Sequence, residues 1–147
     1  MGYTHYFENR GHKDDAMNFL KVLGDVKKLY DNMPEHTDSA GGYYLEDPLK
    51  LCGSNGCGEP IFNEEIIAFN GDDLGDLSHE SFVVYPTPFK DYCITARKPY
   101  DLMVCAVLIS MKRHMVNFTY TSDGSDTVGS TDDWKPAKDF YKRVCDK

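Results

Sequence analysis

The sequence predicts an α+β fold, a single domain in which a mostly antiparallel sheet of about five strands packs against three helices. Two observations carry this. Apolar residues recur at helical spacing in three stretches, and five short runs rich in β-branched and aromatic residues lie among them, bounded by Gly, Pro, Asn or Asp. Their order is strand, helix, several strands, helix, strand, helix, and neither an internal repeat nor a linker divides the sequence.

The first strand covers 2–7, with Tyr3, His5 and Phe7 pointing one way and Thr4 and Tyr6 the other. A helix follows over 14–33, where Phe19, Val22, Leu23, Val26 and Leu29 keep helical spacing, Asp14 or Asp15 is placed to cap and Pro34 to stop. The segment 35–60, punctuated by Gly41, Gly42, Pro48, Gly53, Gly56 and Gly58, reads as a long irregular loop, a lid or a partner-binding arm. Strands are expected over 65–70, 81–85 and 92–96. Pro99 suits the first position of the second helix, which is apolar nearly all round from Leu102 to Met111 and so belongs at the centre. A strand over 116–121 precedes the last helix, which starts near Asp132 and Asp133 and places Trp134, Ala137, Phe140, Tyr141 and Val144 at helical intervals.

The 147 residues are 41% hydrophobic and 27% charged, which suits one core and excludes disorder, collagen and coiled coil. The longest uninterrupted apolar run, 102–109, is far shorter than the roughly 20 residues that span a bilayer. The N-terminus lacks the pattern of a signal peptide. A cytoplasmic protein with no membrane partner is therefore expected. The net charge of −8 argues against binding a nucleic-acid polymer, where a basic face supplies most of the affinity. Between 30 and 89 the acids face one base, Lys50, so this end is either a solvated face or a surface for a basic partner.

Five cysteines make an odd number without a paired framework, and reduced thiols are expected. Cys52 and Cys57 supply at most half a zinc site and read as a Gly-rich turn, so neither metal nor cofactor is expected. There is no GxSxG elbow, Cys/His signature or HExxH helix. His5 makes an acid/base pair with Glu80 or Asp123 only if the fold joins them. A binding module is expected before an enzyme.

Two clusters carry chemistry. In the block 95–101, Arg97 and Lys98 stand at the positive end of the second helix's dipole, where like charge is normally avoided. A phosphate or carboxylate seated on the first-turn amides, forked by Arg97 and held by Lys98, relieves that strain, with the Thr95 and Tyr100 hydroxyls as further donors. The alternative is that Asp101 pairs with Arg97 and caps the helix. The second cluster is Tyr3, His5 and Tyr6, whose rings either stack on a base or pack the core. The turns at Asn70-Gly71 and Thr121-Ser122-Asp123-Gly124 offer Asn70, Ser122 and Asp123 to a ribose or base edge, or simply turn the chain.

The opening Met1-Gly2-Tyr3-Thr4-His5-Tyr6, the block Thr95-Ala96-Arg97-Lys98-Pro99-Tyr100-Asp101, the Asn70-Gly71 turn, and Ser122-Asp123-Gly124 followed by Trp134 together resemble a family of small proteins encoded by phages and prophages. The sequence departs from that family at Phe7, where the family carries Trp, and in the loop holding Cys52 and Cys57. The resemblance implies a phage counter-defence setting in the host cytoplasm: a homo-oligomeric sponge that sequesters a nucleotide immune signal, such as a cyclic dinucleotide or an ADP-ribose derivative, without catalysis. Its alternatives are an inhibitor that contacts a host defence protein through the acidic region, and a nucleotide-processing enzyme.

Overall fold

The computed structural model describes residues 3–36, 47–123 and 133–146. Within them the chain runs β1 (Thr4–Asn9), α1 (Asp15–Asp31), β2 (Ile61–Asn63), β3 (Ile66–Phe69), β4 (Phe82–Val84), β5 (Phe89–Ile94), α2 (Asp101–His114), β6 (Phe118–Ser122) and α3 (Lys135–Cys145). The α+β class holds, with the strands antiparallel throughout. Instead of one five-stranded sheet there are two three-stranded sheets, ordered β5-β1-β6 and β2-β3-β4. The added strand is β2. Its three residues are too short to show a period, and it is held by a hairpin in which Asn63 Oδ1 accepts from the amides of Glu65 and Ile66 at 2.9 and 3.1 Å. Pro86 and Pro88, which lack amide donors, lie where a ladder from β4 would run on into β5.

β1 is the centre of its sheet. Alternation buries Tyr3, His5, Phe7 and Asn9 on the inner face and leaves Tyr6 on the outer one. The sheets meet where Phe7 of β1 touches Phe82 of β4, ring centroids 5.3 Å apart. Further links run through Glu80, whose amide donates to Ile94 O at 3.1 Å while its Oε1 accepts from Ile94 N at 2.8 Å.

α1 turns Phe19, Val22, Val26 and Leu29 fully inward, each side chain contributing about 1.5–3 kcal/mol. Neither acid at its start caps it by side chain. The Asp15 carboxylate reaches back to accept from His12 N at 2.9 Å and Asn9 Nδ2 at 3.1 Å. α2 is buried at every position from Asp101 to Leu108, and α1, α3 and β6 of the same chain cover it. Asp25 ties the three helices together, its Oδ2 accepting from Tyr141 Oη at 2.6 Å and Ser110 Oγ at 2.8 Å and lying 2.9 Å from His114 Nε2. The predicted loop over 35–60 lies partly outside the described residues. Its described end turns at Gly53 and Gly56 and pairs Cys52 with Asn70 in a single antiparallel bridge.

Candidate functional site

The structure brings four of the predicted site residues, Tyr3, His5, Thr95 and Arg97, together where β1 and β5 approach the start of α2. His5 enters from β1, Thr95 follows β5, and Asp101 opens α2. His5 Nε2 and Asp101 Oδ1 are 2.6 Å apart, and Thr95 Oγ1 donates to the same oxygen at 2.7 Å. Asp101 therefore bonds to His5 and Thr95 rather than to Arg97. One helical turn along α2, Cys105 places its Sγ 3.6 Å from Asp101 Oδ2 and 3.8 Å from His5 Nε2. The group is sealed: His5, Thr95, Asp101 and Cys105 are at most 2% exposed. Burial, reinforced by Asp101, pushes the Cys105 thiol well up. The rings of Tyr3 and Trp134 meet the His5 imidazole edge to face, at centroid distances of 5.1 and 5.5 Å.

Ala96 and Arg97 form the corner of a turn closed by Lys98 N donating to Thr95 O at 3.1 Å, and both adopt left-handed backbone, with φ of 54° and 60°. Two consecutive residues with a Cβ in that region carry about 1–2 kcal/mol of strain each. The turn sets the Arg97 guanidinium 4.1 Å from the centroid of the Tyr3 ring and 4.0 Å from Asp133 Oδ1. Arg97 remains 31% exposed on its side chain. Lys98 is directed elsewhere, its Nζ donating to Asp76 O at 2.7 Å. The amides of Asp101, Leu102 and Met103 donate to the carbonyls of Lys98, Pro99 and Tyr100 at 2.9, 3.2 and 3.0 Å, so the first turn of α2 satisfies itself. Tyr100 is buried and its hydroxyl donates to Glu80 O at 2.6 Å.

The other predicted residues serve the framework. Asn70 Nδ2 donates to His79 O and Ser54 O at 2.9 and 3.2 Å. Asp123 Oδ2 accepts from Thr4 N at 3.1 Å, and Ser122 lies opposite His5 in the β1–β6 register. Gly124 is outside the described residues. Neither Glu80 nor Asp123 is bonded to His5, which leaves the proposed acid/base pairs unassembled. Cys52 is buried and Cys57 exposed on the Gly-rich turn.

Tyr6, by alternation, lies on the opposite face. Register places it beside Tyr92 of β5 and Thr121 of β6, while Glu8 stands between Lys90 and Thr119. The Tyr6 and Tyr92 rings are 6.4 Å apart and inclined by 37°, and the two residues are 48% and 53% exposed. With Lys90, Thr119, Thr121 and the acids Glu8 and Asp91 they line an open groove of about 420 Å³, within the roughly 300–1,000 Å³ of small-ligand pockets. Family models, curated proteins and solved structures all give no match to this chain. Its chemistry is therefore read from this geometry. Sequence reasoning found Tyr6 and missed Tyr92, Lys90 and Cys105. Tyr92 opens the strand expected over 92–96, which was the available signal for it, but which residue it faces depends on pairing between residues 86 apart.

Proposed function

We propose that the protein captures a phosphate-bearing nucleotide, a cyclic dinucleotide or an ADP-ribose derivative, on the outer face of the β5-β1-β6 sheet and holds it without changing it. The observation that carries this reading is the half-exposed Tyr6–Tyr92 pair at the floor of the groove. A base laid on such a ring gains about 1–3 kcal/mol from stacking. Lys90 supplies one ammonium for a phosphate, and Thr119 and Thr121 supply hydroxyls for a ribose. The net charge of −8 opposes a polyanion much more than a ligand with one or two phosphates. Storage rather than turnover is supported by His5 and Cys105, which are sealed away from a nucleotide on the outer face of the sheet. A closed homo-oligomer belongs to the same reading, because a second copy encloses a ligand that one open face leaves half in water. The proposed setting, counter-defence in the host cytoplasm, rests on the resemblance to phage proteins.

A second reading puts the phosphate on Arg97, favoured by the left-handed turn that sets its guanidinium on Tyr3. A third, direct contact with a basic host protein, is favoured by Leu74, 94% exposed beside Asp72, Asp73 and Asp76. Titration calorimetry with a panel of cyclic dinucleotides and ADP-ribose derivatives separates them. Tyr92→Ala is expected to weaken binding about tenfold or more, Arg97→Ala to leave it within about twofold, and heat-released ligand to be intact. Loss on Arg97→Ala alone moves the site to the turn. Altered ligand makes the protein an enzyme, and no binding across the panel removes the nucleotide reading.

A further inference from the structure

We propose that His5, Asp101 and Cys105 are the protein ligands of a divalent zinc-type metal ion in the core beneath the β5-β1-β6 sheet. Asp101 and Cys105 are four residues apart on α2, so they lie one turn above another on the same helix face, and His5 meets them from β1. Their donor atoms all lie within 4.8 Å of one another. Cys105 Sγ stands 3.8 Å from His5 Nε2 and 3.6 Å from Asp101 Oδ2, close to the separation of about 3.3–3.6 Å that tetrahedral bonds of about 2.0–2.3 Å give. The other carboxylate oxygen, Oδ1, lies 2.6 Å from Nε2 in a hydrogen bond whose proton an ion replaces, so the two oxygens of Asp101 face Cys105 and His5 separately and the Nε2–Oδ1 distance opens by less than about 1 Å on loading.

Two independent observations point to an ion. The first is charge. Asp101 is 1% exposed and its carboxylate must be compensated inside the core. A dication held by one carboxylate, one thiolate and a neutral imidazole forms a group of zero net charge, which the interior tolerates. The second is the far side of the imidazole. His5 Nδ1 is buried without a hydrogen-bond partner among the described residues, and the Tyr3 and Trp134 rings stand nearly perpendicular to its imidazole. No described group donates to this nitrogen or accepts from it, so nothing in the fold ties up the imidazole from that side. Ligation through Nε2 puts the proton on Nδ1, which no described group opposes.

On loading, the Cys105 thiol gives its proton to solvent and its sulfur bonds the ion, while His5 keeps one proton, moved from Nε2 to Nδ1. Thr95, through its hydrogen bond to Asp101, fixes the carboxylate's orientation as an outer-shell group does. The fourth position falls to water or another small donor, as in three-ligand zinc centres. Since a proton is displaced from sulfur, uptake strengthens as pH rises.

The test uses the full chain, unfolded with reductant, refolded with excess Co²⁺ so that burial does not block entry, and dialysed. The expected result is about one Co²⁺ per chain with a thiolate-to-cobalt charge-transfer band and tetrahedral ligand-field absorption, both lost when Zn²⁺ is added. Cys57→Ser keeps the band and Cys105→Ser loses it. If Cys105→Ser does not refold, His5→Gln must shift or abolish the band. A wild-type spectrum without thiolate absorption overturns the proposal. So does a band that survives in Cys105→Ser and disappears in Cys57→Ser, which assigns the metal to the Gly-rich turn.

Discussion

Asp25 shows how much one carboxylate can hold. Tyr141, Ser110 and His114, from two other helices, all converge on its Oδ2. Asp25→Ala strands at least two buried or half-buried partners, each costing about 1–3 kcal/mol, so urea denaturation is expected to show a loss of about 2–4 kcal/mol. Tyr141→Phe removes one donor only and should lose about 1 kcal/mol. The corner at Ala96 behaves in the opposite sense. Its φ of 54° is one glycine adopts freely. Ala96→Gly should therefore stabilise the fold by about 0.5–1 kcal/mol, strain relief exceeding the added chain entropy, with a raised midpoint in the same assay. Residue identity foretold Arg97's prominence and misjudged its surroundings. Proximity in sequence suggested Asp101 as its neighbour, yet Asp101 bonds to His5, 96 positions away.

Between elements, glycine positions separate packing from propensity. Gly71 follows Asn70 where the chain leaves β3, and a Cβ there would collide with the carbonyl of Leu77 and press on the Tyr100 ring at 3.0 Å. Gly71→Ala must displace backbone, and a loss of more than about 3 kcal/mol is expected, with poor soluble expression as the first sign. At Gly24, on the exposed side of α1, a Cβ would meet no side chain or other segment within 4 Å. Gly24→Ala should gain about 0.5–1 kcal/mol, read as a higher melting temperature. The helices were legible because a 3.6-residue period survives over α1 and α3, and because α2's lack of polar positions is itself a mark of the centre. Five of the six described strands were legible one by one, through runs such as 66–69 and 118–122, though β5 lies at 89–94 and not at the expected 92–96. Their partition into two sheets was not, since pairing β1 with β5 and β6 follows from three-dimensional closure that no local pattern encodes. The same limit hid the groove: whether Tyr92 is core or surface depends on which face its sheet turns to water.

For the molecule as a whole, alkaline pH is the vulnerable side. Burial pushes up the thiols of Cys93, Cys105 and Cys145 and the phenols of Tyr3, Tyr100 and Tyr141. Cys145 rises to about 12 from an ordinary value of 9.0. A raised group stays neutral in the fold while the unfolded chain gives up its proton, so its contribution is complete below the unfolded value and disappears as pH climbs toward the folded one. For Cys145 that window runs from 9.0 to about 12. Urea midpoints are expected to hold from pH 7 to about pH 9 and to fall steadily above it. A midpoint unchanged at about pH 11 would contradict the burial of these groups.

The central place of β1 has a consequence for how the chain is made. Both of its neighbours come from far downstream, β5 from 89–94 and β6 from 118–122. During synthesis the first strand emerges with Tyr3, His5 and Phe7 on what becomes a buried face, and it has no partner until residues 89–94 have left the ribosome and lacks its second until 118–122 have followed. Local helices and the β2-β3-β4 hairpins form early, while the sheet that carries the groove is the last part to close. Pairing across such long separations is slow, so the nascent chain spends most of its synthesis time with its N-terminal strand unprotected, the stage at which a holding chaperone would engage it.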